Sequence, residues 1–240
     1  MNKNDLKLIS AFIDTKNPKA ELNFAHLKED GIYATDTRKL IKFCVPMLGL
    51  DLLLEKRILN GFVSTLGKDD FVSIDGFGFI RTGSVKMNCD TFSYDEVKPF
   101  DFDKSMDIQF DNHFFLETIE DLQFELAQRN CFIDEEHLNP IISFDYHFFL
   151  ETIEDLQFEL AQRNCFIDEE HLNPIVSFAE CNGFYISYNQ QKETVENDVK
   201  TKHNGIVKIV GRYSTEDESN LVKFIAVVMG RTFESKAIEE

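Results

Sequence analysis

Phe24-Ala25-His26-Leu27-Lys28-Glu29-Asp30-Gly31-Ile32-Tyr33-Ala34-Thr35-Asp36 is the stretch on which the fold reading turns. Ala20–Leu27 and Gly31–Asp36 read as two strands, and Lys28-Glu29-Asp30-Gly31 as the turn between them. Upstream, Asn4–Thr15 has helical spacing. Leu6, Ile9 and Ile13 share a stripe with Leu8 and Phe12 beside it, while Lys3, Lys7, Ser10 and Asp14 fall opposite. Asn17-Pro18 ends that helix. Downstream, Leu40–Val45 reads as a third strand. Asp51–Leu66 reads as a second amphipathic helix on Leu54, Ile58 and Phe62, with Lys56, Arg57, Asn60 and Ser64 on the wet side and Gly67 as its C-terminal cap. Short strands follow at Phe71–Ile74, Phe77–Arg81 and Ser84–Phe92, the first two joined by an Asp75-Gly76 turn. Ser93–Met106, with Pro99 and several acids, reads as a linker.

Beyond the linker, residues 110–143 recur as residues 144–177, a tandem unit of 34 residues that differs only at Asn112/Tyr146 and Ile142/Val176. Each copy predicts an amphipathic helix, His113–Arg129 in the first, then a turn through Asp134-Glu135-Glu136 and a short strand, Ile141–Phe144. The second copy runs on into Phe178-Ala179-Glu180-Cys181-Asn182-Gly183-Phe184-Tyr185-Ile186-Ser187, a hairpin signal with Asn182-Gly183 at its turn. Lys192–His203 reads as a polar loop, Gly205–Tyr213 as a strand and Asp217–Gly230 as a closing helix. Phe178-Ala179 and Gly183–Ser187 echo Phe24-Ala25 and Gly31–Thr35, and in both places a helix and an Asn-Pro precede. The two halves therefore read as one plan used twice.

Charge follows the repeat. The chain carries −18 formally, and each copy holds eight acids and one Arg, so the pair accounts for −14. Residues 1–104 hold sixteen acids and fifteen bases. A phosphate backbone would be repelled by the middle of the chain and not by its first part. The five cysteines, Cys44, Cys89, Cys131, Cys165 and Cys181, form no CxxC pair and read as thiols of a reducing compartment. The N-terminus has charges inside its apolar stretch and does not read as a signal peptide. The apolar runs at Met47–Leu54 and Phe224–Met229 are too short to span a bilayer, so the expectation is a cytoplasmic protein with no membrane partner.

There is no Gly-rich phosphate loop, nucleophile elbow or acid–base pair in the sequence, which favours binding over catalysis, and no cofactor is expected. His113 with Glu117, and His137 near Asp134-Glu135-Glu136, lack a metal-ligand spacing, so no metal site is assigned. Tyr33 and Tyr185 sit at alternating hairpin positions and read as core in preference to base-stacking platforms.

The sequence resembles the DNA sliding clamps, the ring-shaped processivity factors of replication. The likeness rests on the helix–hairpin–strand–helix order of residues 4–66 and on Gly31-Ile32-Tyr33-Ala34-Thr35-Asp36, similar to a clamp hairpin ending in Ala-Thr-Asp. It rests also on Phe71–Phe92 followed by Phe100-Asp101-Phe102-Asp103, and on the restart of the plan after residue 144. The resemblance implies an α+β fold of two related clamp-like halves, antiparallel sheet plus amphipathic helices, with the duplicated helix–strand segment set between them. Residues 1–106 would be the N-terminal domain, 107–143 the additional copy, and 144–240 a partly truncated C-terminal domain. It implies a ring whose helices line a hole for duplex DNA, with Lys3, Lys7, Lys56 and Arg57 meeting phosphates. Three features fall outside the pattern: the helix of residues 147–163 is acidic, the second half stops after its second helix, and the duplication has no slot in a clamp domain.

Each copy's apolar stripe is worth burying, at roughly 1.5–3 kcal/mol per large side chain. The spare helix would pack beside its twin, be looped out, or be lent to a second chain in a domain swap. The second copy, continuous with the Phe178 hairpin, is expected to hold the native place. The partners implied are duplex DNA, a protein partner and further copies of the chain in a homo-oligomer or swapped dimer. The alternative is a clamp-fold interaction protein, a phage or mobile-element factor, that binds a protein and does not encircle DNA.

Overall fold

The computed structural model describes residues 1–45, 52–68, 70–74, 79–82, 85–88, 101–110, 112–117, 147–149, 153–179, 181, 183–196, 199–212, 222–230 and 232–236. It has mixed α+β architecture in two compact units. The first comprises Met1–Ile108, Ser177–Glu180 and Val222–Val227; the second comprises Gln109–Val176, Cys181–Leu221 and Val228–Glu240.

In the first unit, α1 (Lys3–Ala11) is followed by a short 3-10 helix (Ala20–Asn23) and the hairpin β1 (Phe24–Lys28) and β2 (Gly31–Thr35). Strand β3 (Lys39–Phe43) pairs antiparallel with β2, and β4 (Leu52–Glu55) pairs antiparallel with β1. Strand β14 (Val222–Met229) lies beside β3, giving the order β4-β1-β2-β3-β14. The hairpin turns where it does because Gly31 has φ +154, and a Cβ there would come within 2.4 Å of the Phe43 carbonyl oxygen. No other residue lets β3 approach so closely. The next turn is built differently: Asp36 Oδ1 accepts from the Arg38 and Lys39 N–H groups, and Thr37 is held at φ 81.

The core behind this sheet comes from α1 (Leu6, Leu8, Ile9), from Phe12 and Ile13, and from Leu59, Phe62 and Val63 of α2 (Lys56–Thr65). At the hairpin, Tyr33 donates to Asp30, which Lys42 also contacts. Burial and the Asp30 acceptor push the Tyr33 phenol up to about 12. A buried ion pair ties the last strand to the first helix: Lys223 Nζ lies 2.9 Å from Asp5 Oδ1, each side chain 6% exposed. A separate antiparallel sheet, β5 (Ser73–Ile74), β6 (Phe79–Thr82) and β7 (Val85–Asn88), completes the described strands of this unit.

In the second unit, β10 (Gly183–Asn189) lies between β13 (Ile206–Arg212) and β8 (Asn112–Glu117), antiparallel to both. Strand β9 (His147–Phe149) adds to β8 in parallel. Two helices, α4 (Ile153–Gln162) and α5 (Glu169–Phe178), bury Leu156, Leu160, Leu172 and Ile175. Strands β11 (Lys192–Glu196), β12 (Val199–His203) and β15 (Thr232–Lys236) form a further antiparallel sheet.

Several local expectations are overturned. Asp51–Leu66 is not one helix, because Leu52–Glu55 is a strand hydrogen-bonded to β1. The linker contains a short helix, α3 (Phe102–Met106), whose Phe102 is fully buried against Tyr33 and His26 at 4.8 and 5.1 Å. His113–Glu117 is strand where a helix was expected, held by its pairing with β10. Residues 175–178 are helix, since α5 runs through Pro174. Phe178 therefore ends a helix and Gly183 begins β10, where a hairpin about Asn182-Gly183 was expected; Asn182 lies outside the described residues. Lys192–His203 is a strand pair instead of a loop, and the closing helix is β14. The Asp75-Gly76 turn, the body of the first copy's helix and the strand at Ile141–Phe144 lie outside the described residues.

Candidate nucleic-acid interface

Helix α1 begins on a capping box. The Asn2 side chain accepts from the Asn4 and Asp5 N–H groups at 3.0 Å each, and Asp5 accepts from Asn2 N–H at 2.8 Å. Its buried stripe leaves Lys3, Asn4, Lys7 and Ala11 on the face turned away from the core. Helix α2 buries Leu59, Phe62 and Val63, which leaves Arg57, Asn60, Gly61, Ser64 and Thr65 on its outer face. Ser10 Oγ donates to Asn60 Oδ1 at 2.6 Å across the pair.

Two of the expected phosphate ligands bind the protein itself. Lys3 Nζ donates to the Leu66 carbonyl, and Lys56 Nζ donates to the Ile13 carbonyl, both at 2.6 Å. The helices run antiparallel, and each N-terminal lysine closes the C-terminal end of the other, where the helix dipole is negative. Gly67 was expected to cap α2; instead the chain leaves at Leu66 in extended backbone, φ −82 and ψ 135, and Lys3 takes the carbonyl. Burial, with Lys39 nearby, holds the Lys56 ammonium below the usual lysine range. An ammonium has three donors, so one carbonyl bond leaves two for another acceptor.

Lys7 Nζ stands 5.2 Å from the centre of the Phe178 ring. Arg57 is 85% exposed with Nε 3.6 Å from Glu55, a contact of little energetic weight at that exposure. Three of the four cations thus flank the pair, Lys3 at one end and Lys56 with Arg57 at the other, separated by roughly the 13 Å length of a nine-residue helix, with Lys7 one turn inside α1. Asn60 and Ser64 lie on the wet side as expected, while sequence reasoning missed Thr65 on the same face and the exposed Lys16, Lys19 and Lys68 that extend the basic character past the helix ends.

In the second unit Phe158 and Gln162 of α4 and Glu169, Glu170, Asn173 and Ser177 of α5 face outward, and Arg163 is the one basic residue between Phe144 and Ala179. Asp168, Glu170 and His171 bring ligand atoms within 4.8 Å of one another, but Glu170 is 67% exposed, as is ordinary for acidic surface groups. Tyr33 is 1% exposed, a core residue. Tyr185 is half-buried, with the His113 ring stacked 5.6 Å away.

No protein-family model and no curated protein sequence matches the chain. Solved structures do. DNA polymerase III subunit beta from Borrelia burgdorferi superposes over 96% of this chain and 63% of its own, at TM-score 0.53 and 10% identity. The DNA polymerase sliding clamp from Pseudomonas aeruginosa superposes over 96% and 65%, at 0.51 and 12%. The Helicobacter pylori beta clamp bound to a DNA ligase peptide superposes over 95% and 62%, at 0.50 and 11%. The chain has the sliding-clamp fold. It spans somewhat under two-thirds of the length of those clamps. At these identities the likeness is one of architecture, and it meets the expectation drawn from the hairpin at residues 24–36. No helix among the described residues is long and apolar enough to cross a membrane.

Proposed function

We propose that this chain is a DNA sliding-clamp-like binding protein that serves as a replication processivity factor, with the α1–α2 face of its first unit turned to duplex phosphates. The observation that carries the reading is the composition of that face. Lys3, Lys7, Lys56 and Arg57 stand among Asn4, Ala11, Asn60, Gly61, Ser64 and Thr65, with Glu55 beside Arg57 and Asp14 near Lys56 as acids. Small and amide side chains let a backbone approach, and fixed cations displace counterions from it.

Lys3 and Lys56 also hold the helices, so the clean test is Lys7→Gln with Arg57→Gln. The measurement is association with duplex DNA by fluorescence anisotropy from 50 to 200 mM salt. The wild type should bind with a steep salt dependence. The double variant should bind more weakly and lose about 2 from the slope of log K against log salt, close to 0.9 per phosphate contact removed. Light scattering with and without duplex should give an oligomer able to close a ring. A monomer indifferent to DNA at low salt overturns the reading.

The second reading is a clamp-fold protein that binds a protein partner without encircling DNA. The exposed Glu169 and Glu170 of α5 favour it, because a helix that lines DNA should not repel phosphate. Under that reading the same anisotropy experiment is flat.

A further inference from the structure

The sheet position beside β10 is filled by a strand that the chain encodes twice. Strand β8 occupies it in a six-residue antiparallel register, from Asn112 opposite Tyr188 to Glu117 opposite Gly183. His113-Phe114-Phe115-Leu116-Glu117 recurs without change as His147-Phe148-Phe149-Leu150-Glu151. The duplicate is already in the same sheet. Residues 147–149 pair parallel with β8, His147 opposite Phe115 and Phe149 opposite Glu117. The competitor therefore lies one strand spacing, about 4.8 Å, from the position it matches.

The structure also draws on both copies at once: the strand beside β10 comes from the first, and the helix α4 from the second. The surplus unit lies between them in the chain. If residues 146–151 took the position instead, they would run almost directly into Ile153, and the same 34 residues would fall before the strand. The length inserted is equal in the two cases, so the loop-closure terms nearly cancel. Removing residues 118–151 or residues 110–143 would give chains that differ only by Asn112 or Tyr146 at one position. That position faces Tyr188.

We propose that residues 112–117 and residues 146–151 exchange as occupants of the strand position beside β10. One cross-strand pair separates the two arrangements, Asn112 or Tyr146 opposite Tyr188, so their populations lie within about tenfold of each other.

Two full-length variants test this. His113→Cys with Ser187→Cys places thiols at directly opposed positions. His147→Cys with Ser187→Cys places them two strands apart in the arrangement described here, beyond the roughly 7 Å Cα limit of a disulfide. Each variant is oxidised, with Ser187→Cys alone as control, and non-reduced peptides are mapped by mass spectrometry. Exchange predicts that both variants form the link to residue 187 within one chain, at initial rates within about tenfold. A link in only one variant, a link in neither, or a His147→Cys link found only as a dimer between chains overturns the proposal.

Discussion

Lys223→Met removes one half of the buried pair that joins the last described strand of the first unit to its first helix. The Asp5 carboxylate is 6% exposed, with Oδ1 2.9 Å from Lys223 Nζ and Oδ2 accepting from the Asn2 N–H. Losing one partner of such a pair leaves an uncompensated charge, at a cost of about 3–5 kcal/mol. The Asn2 bond and the positive end of α1 remain to stabilise the carboxylate, so the low end of that range applies. For a chain of this size each kcal/mol lowers the melting temperature by about 2–4 °C, giving a fall of roughly 6–12 °C. The assay is thermal melting at pH 7 followed by circular dichroism. Asp5→Asn with Lys223→Met removes the stranded charge while keeping an acceptor for the Asn2 N–H, and should recover about half of the loss. A Lys223→Met protein melting within about 2 °C of wild type would refute the reasoning, because that is less than even 1 kcal/mol would produce. A double variant no better than the single would show that the two groups are not coupled.

Three further outcomes follow from the same hairpin and its surroundings. Gly31→Ala should cost about 2–3 kcal/mol, since its Cβ would meet the Phe43 carbonyl oxygen at 2.4 Å, and urea melts should show it. Thr37→Gly should stabilise by about 0.5–1 kcal/mol, because a β-branched residue is strained at φ 81, and an unchanged or lower urea midpoint would count against this. Phe102→Ala should cost about 3–5 kcal/mol by the same measurement, since Phe102 is fully buried against Tyr33 and His26; a surface-like effect under 0.5 kcal/mol would place it outside the core.

How far the sequence reveals this fold depends on whether local pattern and tertiary context agree. They agree at Lys3–Ala11 and from Phe24 to Phe43, where helix spacing, an acidic turn and a glycine that must be glycine all point one way, whereas Ala20–Asn23, expected as the start of the first strand, is a 3-10 helix. They part at Leu52-Leu53-Leu54, where an apolar run suits a buried strand as well as the start of a helix, and pairing with β1 decides it. The same ambiguity hides β14, whose Val222–Met229 run is buried on both faces and so lacks the alternation that marks a half-exposed strand. Lys192–His203 failed for the opposite reason: its strands are mostly polar, and only their mutual hydrogen bonds define them. A short strand was expected after Asn173-Pro174, as after Asn139-Pro140, yet α5 runs on to Phe178 and tolerates the lost bond to the Glu170 carbonyl. At the candidate interface the cations were legible as a wet helix face. Their ties to the Leu66 and Ile13 carbonyls were not, because those bonds reach across 63 and 43 residues of chain.

Those two ties also set the mechanics of the face. An axial slip of α1 along α2 would displace both lysine–carbonyl bonds by the same amount at the same moment, one at each end of the pair. The helices are therefore braced against shear, and the spacing between Lys3 at one end and Lys56 at the other is a fixed ruler. Under the proposed reading, a polyanion laid across it would meet two charges whose separation is set before it arrives, so little ordering of them is left to be done on contact.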